Sequence, residues 1–382
     1  MRSPGSTSLS HRDNRPPVDI VMQLDPLIER ALVHPESLAQ LNISQWDRLI
    51  ASARRLGLLA RIQALLAERG SLEAVPPQPR LHLDSARLVA DNEQRIMRWE
   101  IGRIGRALSD LSKPVIFLKG AAYLLAGLPL ARGRISSDID ILVDKADLAA
   151  VERLLLEHGW EHLKIDEYDQ YYYRAWSHEL PPLRHRERYT TIDVHHTILP
   201  PTGRCHPDPK KLLAEAVALE GSNYKILAPA DMVLHSAAHA FQDGDLVHGL
   251  RDLVDLDDLL RYHAAETDFW DRLLRRGVEL DLARPLYYAL RYSRSLLHTP
   301  VPRDVMEEAE RFAPVKLACL IMDRLVGHAV NDRLSGAPGL LKTVAAWTLY
   351  MRQHWLRMPP WLLACHLLHQ MWRPQKLRTR LG

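Results

Sequence analysis

Two aspartates one residue apart, in Ser137-Asp138-Ile139-Asp140-Ile141-Leu142-Val143, are the residues of this chain best placed to do chemistry. The Ile, Leu and Val around them read as a buried strand. Successive strand side chains point to opposite faces, so Asp138 and Asp140 share one face while Ile139 and Ile141 take the other. Two carboxylates side by side repel each other unless a cation sits between them. Mg²⁺ is a hard ion that takes oxygen ligands, and Mn²⁺ suits the same donors.

Upstream, Val115-Ile116-Phe117-Leu118-Lys119-Gly120 reads as a strand that turns at Gly120 into a helix. Such an element can hold phosphate: glycine lets backbone amides approach, and the helix N-terminus adds partial positive charge. Lys119 and Arg134 are cations close in sequence to these parts, and either would neutralise phosphate charge in a transition state. A third acid, Asp193, lies between Ile192 and Val194 on a later strand, Thr190 to His195. His195 shares its face and His196 points the other way. The candidate metal and catalytic set is therefore Asp138, Asp140 and Asp193. The candidate nucleotide-binding set is Lys119, Gly120, Arg134, Ser137 and His195.

Each candidate has a plainer account. Lys119 would be a solvated strand-end cation, and Arg134 a structural ion-pair partner of Asp138 or Asp140. Asp193 would be an ordinary strand-end acid, and His195 a cap on the sheet edge. His235 and His239, four apart on a helix, could suit a metal. No Glu follows the first His and no third ligand is evident, so helical packing is expected. Arg251, Asp252 and Asp255 have salt-bridge spacing on one helix, or face an acceptor pocket.

The elements that must position these residues are legible in outline. Val18 to Arg69 reads as helices, with Leu24, Leu27, Ile28 and Leu32 at helical spacing. Pro76, Pro77 and Pro79 mark a break. A long helix is expected from about Leu83 to Leu111, with Ile96, Ile101, Ile104 and Leu108 on one stripe, ended by Ser112-Lys113-Pro114. Strands are expected at Val115–Leu118, Ile139–Val143, Tyr168–Trp176 and Thr190–His195. Helices are expected at Ala121–Leu125 and Asp147–His158, the latter closed by Gly159. From Pro207 onward the chain reads as mostly helical, with helices from Pro229 toward Phe241 and from Leu250 to Tyr262. The fold class is α+β. Its expected organisation is a lead-in over 1–17, helices over 18–113, a core over 114–200, helices over 201–332, and a basic tail over 333–382.

The stretch from Val115 to Leu199 resembles the DNA polymerase β-type nucleotidyltransferase superfamily. More narrowly, Leu118-Lys119-Gly120, then Arg134 to Val143 with its Asp-Ile-Asp, then Ile192-Asp193-Val194-His195, is similar to a bacterial family of uncharacterised nucleotidyltransferase-like proteins. The resemblance implies a small mixed sheet with helices on one side, and Asp138, Asp140 and Asp193 as acids around metal ions. It also implies an NTP substrate, a Mg²⁺ (or Mn²⁺) cofactor and transfer of an NMP to an unknown acceptor. His178-Glu179, in the loop between the later strands, resembles a feature of the same family. One departure stands out. The superfamily usually places Gly-Ser or Gly-Gly ahead of the helix, whereas this chain has Lys119-Gly120, with no serine hydroxyl to offer a phosphate. Two other readings follow: a catalytically silent nucleotide-, membrane- or partner-binding homologue, and a toxin that modifies tRNA or protein.

The bulk numbers bound the rest. The chain has 382 residues, 47% hydrophobic and 25% charged, an ordinary globular composition. The formal net charge of +3 is uninformative, but its distribution is not. No acid follows Asp332, while Arg333, Lys342, Arg352, Arg357, Arg373, Lys376, Arg378 and Arg380 do. Interleaved with Trp347, Trp355, Trp361 and Trp372, these basic residues would suit a peripheral contact with an anionic membrane or RNA, or a helix docked on its own domain. Three widely spaced cysteines, Cys205, Cys319 and Cys365, form no disulfide framework, so a reducing cytoplasm is the expected location. The N-terminus lacks a secretory apolar segment. No apolar run is long enough to span a membrane; Trp361 to Leu368 is too short.

Overall fold

The computed structural model describes residues 23–136, 138–163, 167–222, 224–243, 249–331 and 339–365. Ser137, the lead-in over 1–17, Arg333 and the end of the tail (Trp372, Arg373, Lys376, Arg378 and Arg380) lie outside the described residues.

The fold is α+β, mostly helical with a seven-stranded mixed sheet in the middle. Its strands are β1 (Ile116–Phe117), β2 (Asp138–Leu142), β3 (Trp160–His162), β4 (Leu183–His185), β5 (Thr191–His195), β6 (Val217–Ala218) and β7 (Lys225–Ile226). They lie in the order β3-β4-β5-β2-β1-β7-β6. The two best-formed strands, β2 and β5, are central, parallel and in register, with Asp138 opposite Thr191 and Asp140 opposite Asp193. β1 runs antiparallel to β2 and parallel to β7. Alternation explains the register: Ile139, Ile141, Ile192 and Val194 are all buried in the core, which turns the intervening acids of both strands to the other face. A one-residue slip would bury the acids among the aliphatics.

One continuous hydrophobic core runs from Leu24 through the sheet to Leu349. The long helix spans Pro77–Ala107, opening six residues before its expected start and ending four before its expected end. The prolines that read as a break start the helix instead, because the first-turn N–H groups have no intrahelical partner to lose. Its buried stripe contains Leu83, Ala90, Met97, Ile101 and Ile104, while Ile96 is exposed.

Tyr168–Trp176 is a second correction. It is the helix Glu167–Trp176, not a strand. Its aromatics meet at helical separations: Tyr172 and Trp176 have ring centroids 6.1 Å apart, and Trp176 lies edge-on to Trp361 at the same distance. Tyr172 and Trp176 pack on a small apolar cluster of Met358, Leu362 and Leu363. Tertiary contact along one helical face outweighed the strand preference of aromatic residues.

The helix Pro229–Ala238 continues into a single π-helical turn, His239–Asp243. π-Turns are rare and concentrate at functional sites. This one carries two acid–base side chains toward the sheet. The helix Leu340–Arg357 docks on the body of the protein: Arg352 donates to the Phe241 carbonyl at 2.9 Å, and Arg204 stacks on Trp355 at 4.7 Å. Trp347 and Trp361 stay exposed. Among the described residues no helix is long and apolar enough to cross a membrane, and Cys205, Cys319 and Cys365 are free thiols.

Candidate active site

The parallel register of β2 and β5 brings Asp138, Asp140 and Asp193 together, one carboxylate oxygen from each within 4.8 Å of the others. Asp138 is exposed at the strand start, Asp140 is buried and Asp193 is half-buried. Asp193 Oδ1 is buried and has no hydrogen-bond partner among the described residues. Burial first, then the charges of Glu179 and Asp140, push the Asp193 carboxyl up to about 8. A shielded, unpartnered carboxylate oxygen beside two other carboxylates is what a divalent cation would satisfy. The three residues fit such an ion.

Asp140 is also held from the other side. Burial alone would raise its carboxyl, but the Lys119 charge and the hydrogen bond from His195 outweigh burial and hold it well below the usual carboxylate range. Lys119 Nζ lies 3.5 Å from Asp140 Oδ1, and His195 Nε2 lies 3.0 Å from the same oxygen. Burial opposes the Lys119 charge, yet Asp140, Asp243, Asp138 and Glu179 together raise its ammonium above the ordinary value.

Lys119 is therefore not a solvated strand-end cation. Its φ is +42°, in the left-handed region that non-glycine residues avoid, at the junction between β1 and the seven-residue helix Lys119–Leu125. The left-handed residue is Lys119 and not Gly120. Gly120 is needed for a different reason: a Cβ there would collide with Ser136 Oγ and the Arg134 guanidinium. The glycine expected to admit phosphate instead makes room for Arg134, which is hydrogen-bonded to Ser136.

Arg134 pairs with neither Asp138 nor Asp140. Its Nε bonds Asp255 Oδ2 at 2.8 Å, and its guanidinium lies over Tyr123 at 5.4 Å from the ring centroid. This is a buried, charge-assisted pair. Asp255 comes from the helix Leu250–His263, so that helix, with Arg251 and Asp252, forms one wall of the site. The opening is a cavity of about 160 Å³ whose lining includes Lys119, Arg134, Asp138, Asp140, His239 and Asp252. A wider hollow of about 750 Å³ lies between the end of the long helix and the β6–β7 hairpin. No acid among the described residues lines it, so the smaller cavity is where metal and phosphate chemistry fits.

Behind the carboxylates lies a second polar layer. Glu179 faces His195 across an antiparallel bridge, with its Oε2 3.5 Å from His195 Nδ1. Burial raises the Glu179 carboxyl. His178 is buried, which lowers its imidazole to about 3, and its Nε2 is 3.7 Å from Asp243 Oδ2. Asp243 is in turn 2.9 Å from Arg357 Nε. His178-Glu179 was legible as a loop feature. Asp243 and Arg357 were not, because nothing in the sequence links an acid after one helix to an arginine at the end of another. His196 turns away as expected, with Nε2 3.2 Å from the Ser177 carbonyl. His239 reaches the cavity and lies 3.8 Å from Asp252, while His235 is buried and held neutral, first by burial and then by the Lys119 charge. Among the described residues neither joins a group of three metal-ligating side chains.

Comparison with known proteins adds to this geometry. No curated protein matches the chain. Among solved structures, it is similar to JHP933 from Helicobacter pylori at 16% identity, over 70% of this chain and 96% of that one, with a TM-score of 0.29. The family described as uncharacterised nucleotidyltransferase matches residues 42–298, more than half of the chain and inclusive of every described candidate residue named from the sequence between Lys119 and Asp255. The protein belongs to the uncharacterised nucleotidyltransferase family.

Proposed function

We propose that this protein transfers a nucleoside monophosphate from an NTP to an acceptor, with Mg²⁺ or Mn²⁺ held by Asp138, Asp140 and Asp193. The observation that carries the reading is the gathering of these three carboxylates on β2 and β5, two of which, Asp138 and Asp140, line a cavity that also presents Lys119 and Arg134. The bound ion would supply charge neutralisation on the phosphate oxygens.

This chain's own residues have separate tasks. Lys119 lies beside Asp140 and would offset charge on the departing pyrophosphate. Arg134, fixed by Asp255, would orient phosphate oxygens from the opposite wall. In the transfer, an acceptor oxygen bonds to the α-phosphorus and the α–β bridging P–O bond breaks, so pyrophosphate leaves with the bonding pair. Asp193, ionised once it holds the ion, would draw the acceptor's proton.

The test is incubation of purified protein with α-labelled NTPs, Mg²⁺ or Mn²⁺, and cell extract. Wild type is expected to label a macromolecule or metabolite, and an Asp138→Ala/Asp140→Ala variant is expected to label nothing. Equal labelling by both proteins would sink the reading. A second reading, metal-dependent nucleotide binding without turnover, is favoured by one observation. Two of the cavity's cations are already engaged, Lys119 by Asp140 and Arg134 by Asp255. Calorimetric NTP binding with no labelled product in any extract would select it.

A further inference from the structure

We propose that His178, Glu179 and His195 form a second metal site, for a borderline divalent transition ion such as Zn²⁺, next to the three-carboxylate cluster and chemically distinct from it. The three side chains offer one ligand atom each, all within 4.8 Å of one another. Glu179 Oε2 is central, 3.5 Å from His195 Nδ1 and 4.0 Å from His178 Nε2. Ligand atoms around a tetrahedral zinc with bonds near 2.0–2.1 Å stand about 3.3 Å apart, so the Glu179–His195 edge is nearly closed at 3.5 Å and the His178 ring must move inward from 4.0 Å to complete the triangle. The two imidazoles already lie side by side, with centroids 5.2 Å apart and planes tilted by 35°.

Two independent observations point to a ligand. His195 is only 3% exposed, yet its Nδ1 lacks a hydrogen-bond partner among the described residues, and the carboxylate oxygens beside the Nε2 of the equally buried His178, at 3.7 and 4.0 Å, are beyond hydrogen-bond distance. Buried ring nitrogens are normally satisfied. The tautomer of His195 is also set for coordination. Its Nε2 faces Asp140 Oδ1 at 3.0 Å, so the proton belongs on Nε2 and the Nδ1 lone pair is left facing Glu179. That is the carboxylate–histidine–metal arrangement in which an outer carboxylate orients a ligating imidazole. Asp243, 3.7 Å from the same His178 Nε2 and paired with Arg357, adds a further anionic oxygen beside that nitrogen. Imidazole nitrogens favour zinc, cobalt or nickel, whereas the all-oxygen cluster favours magnesium or manganese. The two groups would therefore select different ions, with Asp140 as the physical link between them.

The competing arrangement is a doubly hydrogen-bonded imidazolium, with His195 donating to both Asp140 and Glu179 and no metal present. Metal-stripped full-length protein, kept in excess Mg²⁺ to occupy the carboxylates, would be titrated with Co²⁺ and followed by proton NMR. The expected result is one equivalent of Co²⁺ bound, with two hyperfine-shifted exchangeable imidazole N–H resonances that Zn²⁺ abolishes. His178→Gln and Glu179→Gln should each weaken Co²⁺ binding at least tenfold. Asp138→Asn should lose Mg²⁺-dependent NTP binding while keeping the resonances, so this site and the proposed transfer reaction can fail separately. Absence of the resonances in wild type would overturn the site whatever the variants do, as would their persistence in both glutamine variants.

Discussion

Lys119 Nζ and His195 Nε2 converge on a single oxygen of Asp140, at 3.5 and 3.0 Å. The buried carboxylate therefore stays ionised by local compensation, before any ion or substrate arrives. Lys119→Met removes one of these partners. Breaking a buried ion pair from one side costs about 3–5 kcal/mol, so a stability loss of that size is expected by urea denaturation, together with NTP affinity weakened at least tenfold. Lys119→Arg, which keeps the charge, should recover most of the stability. A loss much below 1 kcal/mol in Lys119→Met would show that Asp140 does not depend on the lysine.

Asp193 behaves in the opposite sense, because burial and neighbouring acids raise its carboxyl to about 8. The folded protein then holds a proton that the unfolded chain releases near pH 3.9. Stability from this group is complete below that pH and is lost as pH rises toward 8. Asp193→Asn cannot titrate, so without metal it should match wild type near pH 4 and exceed it by about 1.4 kcal/mol for each pH unit climbed toward 8, several kcal/mol in all. Saturating Mg²⁺ should raise the melting temperature of wild type more than that of the variant. An asparagine variant that is less stable than wild type at pH 8 would contradict the strained-acid account.

His178 sets an acid limit. Its imidazole is held neutral to about pH 3 by burial, while the unfolded chain takes up a proton near pH 6.5. The unfolded state therefore binds more protons as pH falls, and stability drops by about 1.4 kcal/mol per unit between those values. From pH 7 to pH 5 this group should account for about 2 kcal/mol. His178→Gln should show a pH slope that is shallower by that amount in denaturant titrations at the two pH values. An unchanged slope would mean that His178 is protonated in the folded protein.

Gly120 tests the close approach of Arg134. Gly120→Ala drives a methyl group into Ser136 Oγ and the Arg134 guanidinium, both of them side-chain atoms that can move. The expected stability cost is about 1–3 kcal/mol, in line with other overpacking changes. NTP binding should weaken more than stability implies, because the displaced arginine leaves Asp255. Calorimetric titration of the folded variant distinguishes this from simple unfolding, and unchanged affinity would remove Arg134 from the cavity's working parts.

The sequence by itself determined the local pieces. The alternation Asp-Ile-Asp-Ile set which side chains share a face, and the aliphatic flanks required a buried strand. The same logic placed Asp193 and His195 on one face and His196 on the other, since strand geometry is a property of consecutive residues. What lay beyond reach was everything decided by pairing between distant segments. Only the tertiary structure set the parallel register that puts Asp140 opposite Asp193, gave Arg134 to Asp255 across 121 residues, and brought Asp243 to His178 and Arg357. Only packing turned Tyr168–Trp176 into a helix, through contacts with Trp361 and its neighbours. Strand-face periodicity is encoded locally, whereas a charge's partner depends on which elements the hydrophobic core draws together.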